Sequence, residues 1–467
     1  MTTPASPTAV IAEDEPVLAR TLARLLERTW PELQIVGVAE DGLSATELTL
    51  AETPDVVFLD IKMPGRSGIE VAPVEMPLVE GRRYSFPELS TESFRGLPGM
   101  LSDSLPDRFG NALIDAWLAR QGREPGSMGA VERLCYTGRR GMGALEYLPA
   151  TGPEPVESHP VEVEALAELA AEILAERSGI RESFASEDRE RALGEILRVG
   201  TSAGGARAKA LLAFNPETME VRSGQLEVPA GFEHWILKFD GVQDQSREIG
   251  EPRGYGVIEF AYARMARAAG IEMTDCHLLE DAGRRHFMTR RFDRTESGRR
   301  LHMQSLAALG HLDFNLPGAN SYEQAFRMID RLGLGRAAVE QQFLRMVFNV
   351  VARNQDDHVK NIAFLMDRGG EWALSPAFDL TWAYNPTGRW TSAHQMSVNG
   401  KRDGFEPGDF FEVGKLVSMK RGRVEAMLDK VTESVSAWPE LAADAGVEES
   451  VIKRIADTHR LDLGQSK

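Results

Sequence analysis

Residues 8–72 alternate short apolar runs with helically spaced leucines. Ala9-Val10-Ile11-Ala12 reads as a strand that ends in Glu13-Asp14-Glu15, and Leu18, Leu22, Leu25 and Leu26 then recur at helical spacing. Ile35-Val36-Gly37-Val38 predicts a second strand, Leu43 and Leu48 a second helix, and Val56-Val57-Phe58-Leu59 a third strand ending at Asp60. This βαβαβ order predicts a parallel sheet with its chemistry at the carboxyl ends of the strands. From residue 73 to about 150 the pattern changes. Pro, Gly and Arg punctuate short elements there, and Leu113, Trp117 and Leu118 share one helix face. Residues 151–160 read as a linker, and Val161 to Arg177 as an amphipathic helix whose expected role is core packing. Strands are predicted around Ala210–Phe214 and Trp235–Phe239. Val339, Phe343, Met346, Val347, Val350 and Val351 keep helical spacing into a polar loop around Asp356.

A chain of 467 residues is too long for one hydrophobic core; the length prior is about two to four domains. The formal net charge of −18 argues against a broad basic face for nucleic acid or an anionic membrane, yet leaves room for a nucleotide site, which needs only local positive charge. Cys135 and Cys276 stand far apart with no CxxC pattern, so neither a disulfide framework nor a structural zinc site is expected. The start has no basic region of a signal peptide, and no run of eighteen apolar residues occurs, which makes the cytoplasm the expected compartment.

The candidate chemistry lies in Asn354-Gln355-Asp356-Asp357-His358-Val359-Lys360-Asn361 and, downstream, Phe378-Asp379. Phosphoryl transfer from a nucleotide needs a carboxylate facing the acceptor hydroxyl, an amide reaching Mg²⁺, and a second carboxylate holding the metal against the phosphates. Asp356 fits the first role; Asn361 and Asp379 offer the hard oxygens that Mg²⁺ prefers. His358 reads as a hydrogen-bonded structural residue and Asp357 as solvated. Lys238, inside a predicted strand, fits a contact to nucleotide phosphates; the alternative is an edge-strand lysine that guards against aggregation. Glu259, on a helix with Gly270 as its C-cap, can pair with Lys238 or simply face solvent. The small, glycine-rich segment from Gly200 to Lys209 can bring backbone N–H groups to phosphates, or can be a plain turn; no Gly-Lys-Ser/Thr makes it a Walker A loop.

Glu13, Asp14 and Asp60 stand at strand ends, where they could hold a divalent metal beside an acceptor carboxylate. With Leu59-Asp60-Ile61-Lys62-Met63-Pro64-Gly65, this segment resembles the receiver domain of bacterial response regulators. The resemblance implies Asp60 as phosphoacceptor and Glu13 and Asp14 as metal ligands. A receiver continues with two more strands, a switch Ser or Thr, and a Lys before Pro. Here the chain runs from Ala72 into Pro73-Val74-Glu75-Met76-Pro77, and about half a receiver is present.

From about Met76 to Leu463 the chain resembles the HipA family of serine/threonine kinases, the toxins of bacterial toxin–antitoxin pairs. Three blocks carry the resemblance: Phe94–Gly99 with Ser104–Asp107 and Gly138–Leu145; Ser202–Lys209; and Asn354–Asn361 with Ser375–Asp379. It implies Asp356 as catalytic base, Asn361 and Asp379 as Mg²⁺ ligands and Lys238 on the ATP phosphates. It further implies Gly204, Gly205, Ala206, Arg207, Ala208 and Lys209 as the nucleotide loop, and Arg290-Arg291-Phe292 as the connector framing the adenine. His358, Lys360 and Phe378 would border the nucleotide. Ser202 matches the serine that the family autophosphorylates; nearly two negative charges beside ATP phosphates would repel them. Aminoacyl-tRNA synthetases are among the family's targets, and a small helix-turn-helix antitoxin is the implied partner. The family's first N-terminal strands are not found; the half receiver takes their place, which bears on the folding of residues 73–150.

The expected fold is therefore α+β: a partial α/β, flavodoxin-like receiver fragment (1–72), a truncated HipA N-terminal subdomain (73–150), a linker and helix (151–190), and a two-lobed protein-kinase-like core (191–460). The N-lobe of that core would span about 191–295 and the helical C-lobe about 296–460. The competing expectations are a pseudokinase that binds a partner without turnover, and a response regulator that gates a kinase output.

Overall fold

The structure, a computed structural model, describes residues 7–13, 16–40, 44–45, 48, 51–52, 56–59, 84, 86–153, 161–175, 196–197, 207–224, 228–242 and 254–464. The chain divides into two compact units, Met1–Ser85 and Phe86–Lys467.

In the first unit β1 (Thr8–Ala12) lies between β2 (Gln34–Ala39) and β3 (Val56–Leu59), all parallel. The helix α1 (Pro16–Thr29) turns Ala19 and Leu26 onto Ala9, Ile11 and Leu33, while Leu18 and Leu25 stay exposed. The apolar alternation therefore forms the parallel sheet expected of it. Glu13 follows β1 directly, its N–H donating to Ala39 O at 2.9 Å; Asp14 and Asp60 lie outside the described residues.

The second unit begins with helices α2 (Thr91–Phe94), α3 (Gly99–Ser102), α4 (Arg108–Arg120), α5 (Ala130–Thr137) and α6 (Val163–Ala175). Next comes a five-stranded antiparallel sheet of β4 (Lys209–Asn215), β5 (Glu220–Ser223), β6 (Glu233–Lys238), β7 (Cys276–Asp281) and β8 (Arg284–Arg290), in the order β5-β4-β6-β8-β7. Leu113 of α4 and Leu166, Ala170 and Ile173 of α6 share a core with Leu212, Phe214, Trp235 and Leu237 of the sheet. Helix α7 (Tyr255–Ala268) joins β6 to β7, and Gly270 beyond it takes φ +85°. β6 is the central strand, so Lys238 does not guard an edge.

The rest is mostly helical. β9 (His302–Ser305) leads into α8 (Leu306–Gly310), β10 (Asn320–Ser321), α9 (Tyr322–Arg331) and α10 (Gly335–Val351). β11 (Ala363–Met366) and β12 (Trp372–Leu374) complete a small sheet with β9, β13 (Met396–Ser397) pairs with β10, and four helices follow between Pro407 and Ala456. Phe343, Met346, Val347, Val350 and Val351 of α10 are wholly buried. That makes α10 the axis of this lobe and a rigid base for the loop that follows it.

Residues 86–150 are seated on both lobes. A Cβ at Gly99 would stand 2.2 Å from the Ala308 carbonyl oxygen, so only glycine lets α3 approach α8 this closely. Asp103 accepts from Ser305 N at 2.8 Å and from Ser305 Oγ at 2.9 Å, and Ser305 Oγ in turn caps α8 through Ala308 N. Gly143 N donates to Asp293 Oδ2 at 2.7 Å, where Arg291 and Arg294 also converge. These anchors belong to helices and glycine turns, not to preceding strands.

Candidate functional site

Lys238 ends β6, and its ladder partner on β4 is Lys209; two residues directly opposite each other in an antiparallel pair project from one face of the sheet. Two buried ammonium groups so placed need acids. Lys238 Nζ stands 2.6 Å from Glu259 Oε1 and also contacts Asp379 Oδ1. Lys209 Nζ lies 3.6 Å from Asp107 Oδ2 at the N-terminus of α4. Glu259 is only 2% exposed, which overturns the solvent-facing alternative. Its second oxygen is 3.5 Å from Arg207 Nη1, and the Arg207 guanidinium covers the Tyr255 ring at 3.3 Å.

The loop after α10 is shaped by its backbone. Arg353 adopts φ +56°, and Gln355 N donates to Ala383 O at 3.0 Å. A 3₁₀ turn at Val359–Asn361 then brings Asn361 Nδ2 to within 2.9 Å of Asp356 O. That bond uses the donor end of the Asn361 amide and turns Oδ1 away from the Asp356 carbonyl. The Asp356 carboxylate keeps 35% of its side chain exposed. Asp379 takes φ +53°, a conformation that costs a non-glycine residue about 1–3 kcal/mol. Lys238 and Asn354, whose Nδ2 reaches Asp379 O at 3.3 Å, hold it there. Asp379, Asn361, Asn354 and His358 line one cavity of about 20 Å³ with Gln342, Arg345 and the apolar Phe378 and Leu380, enough for a water molecule. Of the four residues assigned to transfer, Lys238 contacts Asp379, Asp379 and Asn361 line the same cavity, and Asn361 bonds to the Asp356 backbone.

Charge is arranged accordingly. Burial alone would raise the Asp379 carboxyl, but Lys238, with Lys209 and His358 behind it, holds it well below the usual carboxylate range. Burial would lower Lys238, yet Asp379 and Glu259 outweigh it and raise the ammonium. A depressed carboxyl contributes stability above its unfolded-state value, and that contribution is lost as pH falls through the folded-state value. The excess stability of wild type over Asp379→Asn should therefore shrink as pH drops from about 5 towards 2. Urea unfolding across that range checks this; a pH-independent difference would mean that Lys238 does not hold the carboxylate.

Several sequence expectations change. Asp357 is not solvated: at 3% exposure it accepts from Tyr322 OH, His394 Nδ1 and Gln395 N, each at 2.8 Å. His358 is not the hydrogen-bonded residue expected: its Nδ1 is buried without a partner among the described residues, and Nε2 lies 4.0 Å from Asp356 Oδ1. Lys209 is the first residue of a strand rather than part of a loop, because its backbone continues the ladder with Lys238. Arg290 is drawn to Glu233 and Asp275, at 3.3 and 3.9 Å. Arg291 is buried on Asp293 at 2.7 Å and on the Gly141 carbonyl. Of the connector triplet, Phe292 alone meets a site residue, its ring 5.5 Å from Phe378. Lys360 Nζ lies 4.4 Å over the Phe314 ring. Ala208 is fully buried just before β4, its carbonyl accepting from Phe239 N at 3.1 Å, while Ser202, Gly204, Gly205 and Ala206 lie outside the described residues. Asp107 and the partners of Asp357 were missed. Asp107 did stand inside a quoted motif, but nothing local pairs it with a lysine about a hundred residues on.

A five-stranded antiparallel sheet, a short connector and a helical lobe, with a central-strand lysine between a helix glutamate and an acid of the opposite lobe, define a two-lobed protein-kinase-like fold. Within that class the chain belongs to the HipA family. The family's HipA-like C-terminal domain matches residues 201–438, just over half the chain, and its HipA N-terminal domain matches residues 50–148. A response regulator receiver domain matches residues 9–73 and overlaps the latter. HipA of Shewanella oneidensis MR-1, solved with HipB and its operator DNA, superposes over 78% of this chain and 84% of that one, with TM-score 0.53 and 16% identity. That likeness shows the fold. An uncharacterized response regulatory protein of Vibrio cholerae is 54% identical over 65 residues, 14% of this chain and 25% of that protein. The transcriptional regulatory protein PdtaR of Mycobacterium tuberculosis is 46% identical over 63 residues, 14% of this chain and 30% of its own length. The chain thus spans roughly a quarter to a third of these curated relatives. Among the described residues, no helix is long and apolar enough to cross a membrane.

Proposed function

We propose that this chain is an ATP-dependent protein serine/threonine kinase of the HipA type. The observation that carries the reading is the cluster of Lys238, Glu259 and Asp379, joined through one cavity to the loop of Asn361 and Asp356. Lys238 would grip the nucleotide phosphates while Glu259 keeps its side chain extended. Asp356, the most exposed acid of the loop, would accept the proton of the acceptor hydroxyl. Arg207 and the preceding glycines would close over the phosphates, and the Phe292–Phe378 ring pair would offer an apolar wall to the base. Arg290 and Arg291 brace the connector instead.

The donor set fits magnesium. Among the described residues no group of three His, Cys, Asp or Glu could hold a metal by itself. One carboxylate and one amide oxygen, the rest supplied by phosphates and water, is how Mg²⁺ is bound in such sites. Held by Asn361 and Asp379, the ion would supply positive charge against the phosphates.

The family resemblance offers an aminoacyl-tRNA synthetase as protein substrate and autophosphorylation at Ser202 as self-regulation. The Shewanella relative was solved with HipB and DNA, so a small helix-turn-helix antitoxin is the partner proposed here. With a net charge of −18, DNA contact would be made chiefly through that partner.

The test is incorporation of the terminal phosphate of ATP into protein, with Mg²⁺, by the full chain and by Asp356→Gln. Incorporation by wild type, abolished in the variant and by chelation, is expected. Equal signals from the two proteins would remove the kinase reading.

A further inference from the structure

Next to the proposed base stands a second carboxylate that does something else. Asp357 is buried, and three donors converge on it: Gln395 N on Oδ1, and Tyr322 OH and His394 Nδ1 on Oδ2, each at 2.8 Å. The direction of each bond follows from the groups behind it. Arg460 Nη1 lies 3.0 Å from His394 Nε2, and a guanidinium can only donate. His394 therefore accepts at Nε2, carries its proton on Nδ1 and donates to Asp357. Tyr322 OH receives Asn349 Nδ2 at 2.8 Å, so its own proton goes to Asp357. Asn349 Oδ1 in turn accepts from Asn354 Nδ2 at 2.9 Å, and that same amide reaches the Asp379 carbonyl. One run of hydrogen bonds thus passes from Arg460 near the C-terminus, through the residue beside Asp356, to the backbone of Asp379.

We infer that Asp357 is the positioning residue of this site: by accepting on both oxygens it fixes the loop of Asp356 and Asn361 relative to Asp379, without touching substrate. This rests on the kinase reading above. Asparagine has nearly the same shape but presents an amide donor on one side. Whichever way it turns, that donor meets either Gln395 N or the Tyr322–His394 pair. Tyr322 can rotate its proton away. His394 can accept only by moving its proton to Nε2, which then faces the Arg460 donors. The conflict is passed along to Arg460, two hydrogen bonds from Asp357, and removing that guanidinium relieves it.

The experiment uses the full chain, with transfer kinetics, thermal melts and amide hydrogen exchange of residues 354–361 on each variant. Asp357→Asn is expected to lower kcat about 10–10²-fold, the scale of a misplacement near 1 Å, with KM for ATP changed less than about twofold. Exchange across residues 354–361 quickens. Arg460 also donates to Val350 O at 2.8 Å and pairs with Asp403, so Arg460→Met alone lowers kcat, though less than Asp357→Asn does; Asp357→Asn combined with Arg460→Met is faster than Asp357→Asn alone. Mere structural damage would make the two changes additive. A kcat for Asp357→Asn equal to wild type, or additive losses in the double variant, overturns the inference. Should Asp357→Asn fail to fold, Tyr322→Phe deletes one of the three donors and adds none; kcat falls in the same direction, and an unchanged kcat overturns the inference. If wild type itself transfers no phosphate, the kinase reading fails separately, and exchange alone decides: unaltered protection of residues 354–361 in Asp357→Asn sinks the positioning role.

Discussion

Replacing Lys238 with methionine is expected to cut phosphate transfer about 10²–10³-fold, the loss typical of removing one fixed charge-stabilising donor, and to destabilise the fold as well. A surface lysine would do neither. Lys238 stands on the central strand with its side chain 12% exposed, between Glu259 and Asp379. Without its ammonium, Glu259 keeps, among the described residues, only Arg207, at 3.5 Å. Breaking a buried pair by removing one partner typically costs about 3–5 kcal/mol, because the remaining charge stays desolvated. Pairing Lys238→Met with Glu259→Gln also removes the Glu259 charge but leaves Asp379 with Lys209 and His358 as its remaining positive neighbours, so it should recover part of the stability and none of the transfer. Denaturant unfolding and single-turnover transfer separate the two losses. A Lys238→Met protein that is stable and active would show that this cluster is neither a structural tie nor a phosphate grip.

The second large effect is expected at Asp107, and its meaning is different. Burial dominates on both sides of this pair: it raises the Asp107 carboxyl against Lys209, and lowers the Lys209 ammonium against Asp107 and Asp379. Asp107→Ala leaves that ammonium without the carboxylate 3.6 Å away and also removes the cap that accepts Gly110 N at 2.7 Å. The pair contributes a loss of about 3–5 kcal/mol and the cap about 1 kcal/mol. Asp107→Asn combined with Lys209→Met keeps a good capping residue and deletes both charges. It should be near neutral in stability, since a buried ion pair replaced by neutral groups often is. It should also keep transfer within a fewfold, because Lys209 is spent on Asp107 while Lys238 faces Asp379. Loss of transfer in that stable double variant would return Lys209 to the phosphates.

The strands at 209–215 and 233–238 and the helix at 335–351 were readable because their periods, two and 3.6, are local properties of the chain. The candidate acids were readable for a related reason: Asp356, Asn361 and Asp379 stand close together in sequence, and their chemistry belongs to residue type. The place of β6 in the middle of the sheet was not, because strand order is set by pairing with β4 and β8 on either side. Nor could composition say that Arg291 turns inward to Asp293 while Phe292 meets Phe378.

The adjacent pair Asp356 and Asp357 shows the division most directly. The order of residues determined that two carboxylates follow α10 and that an amide follows five positions after the first. It could not determine which acid would meet solvent. Successive residues of an extended loop project to opposite sides, and the side that becomes interior is chosen by Tyr322, His394 and Gln395, tens of residues away. The tertiary structure made that choice, because a buried carboxylate persists only where several donors arrive together, and donors from two distant segments meet only once the chain has folded.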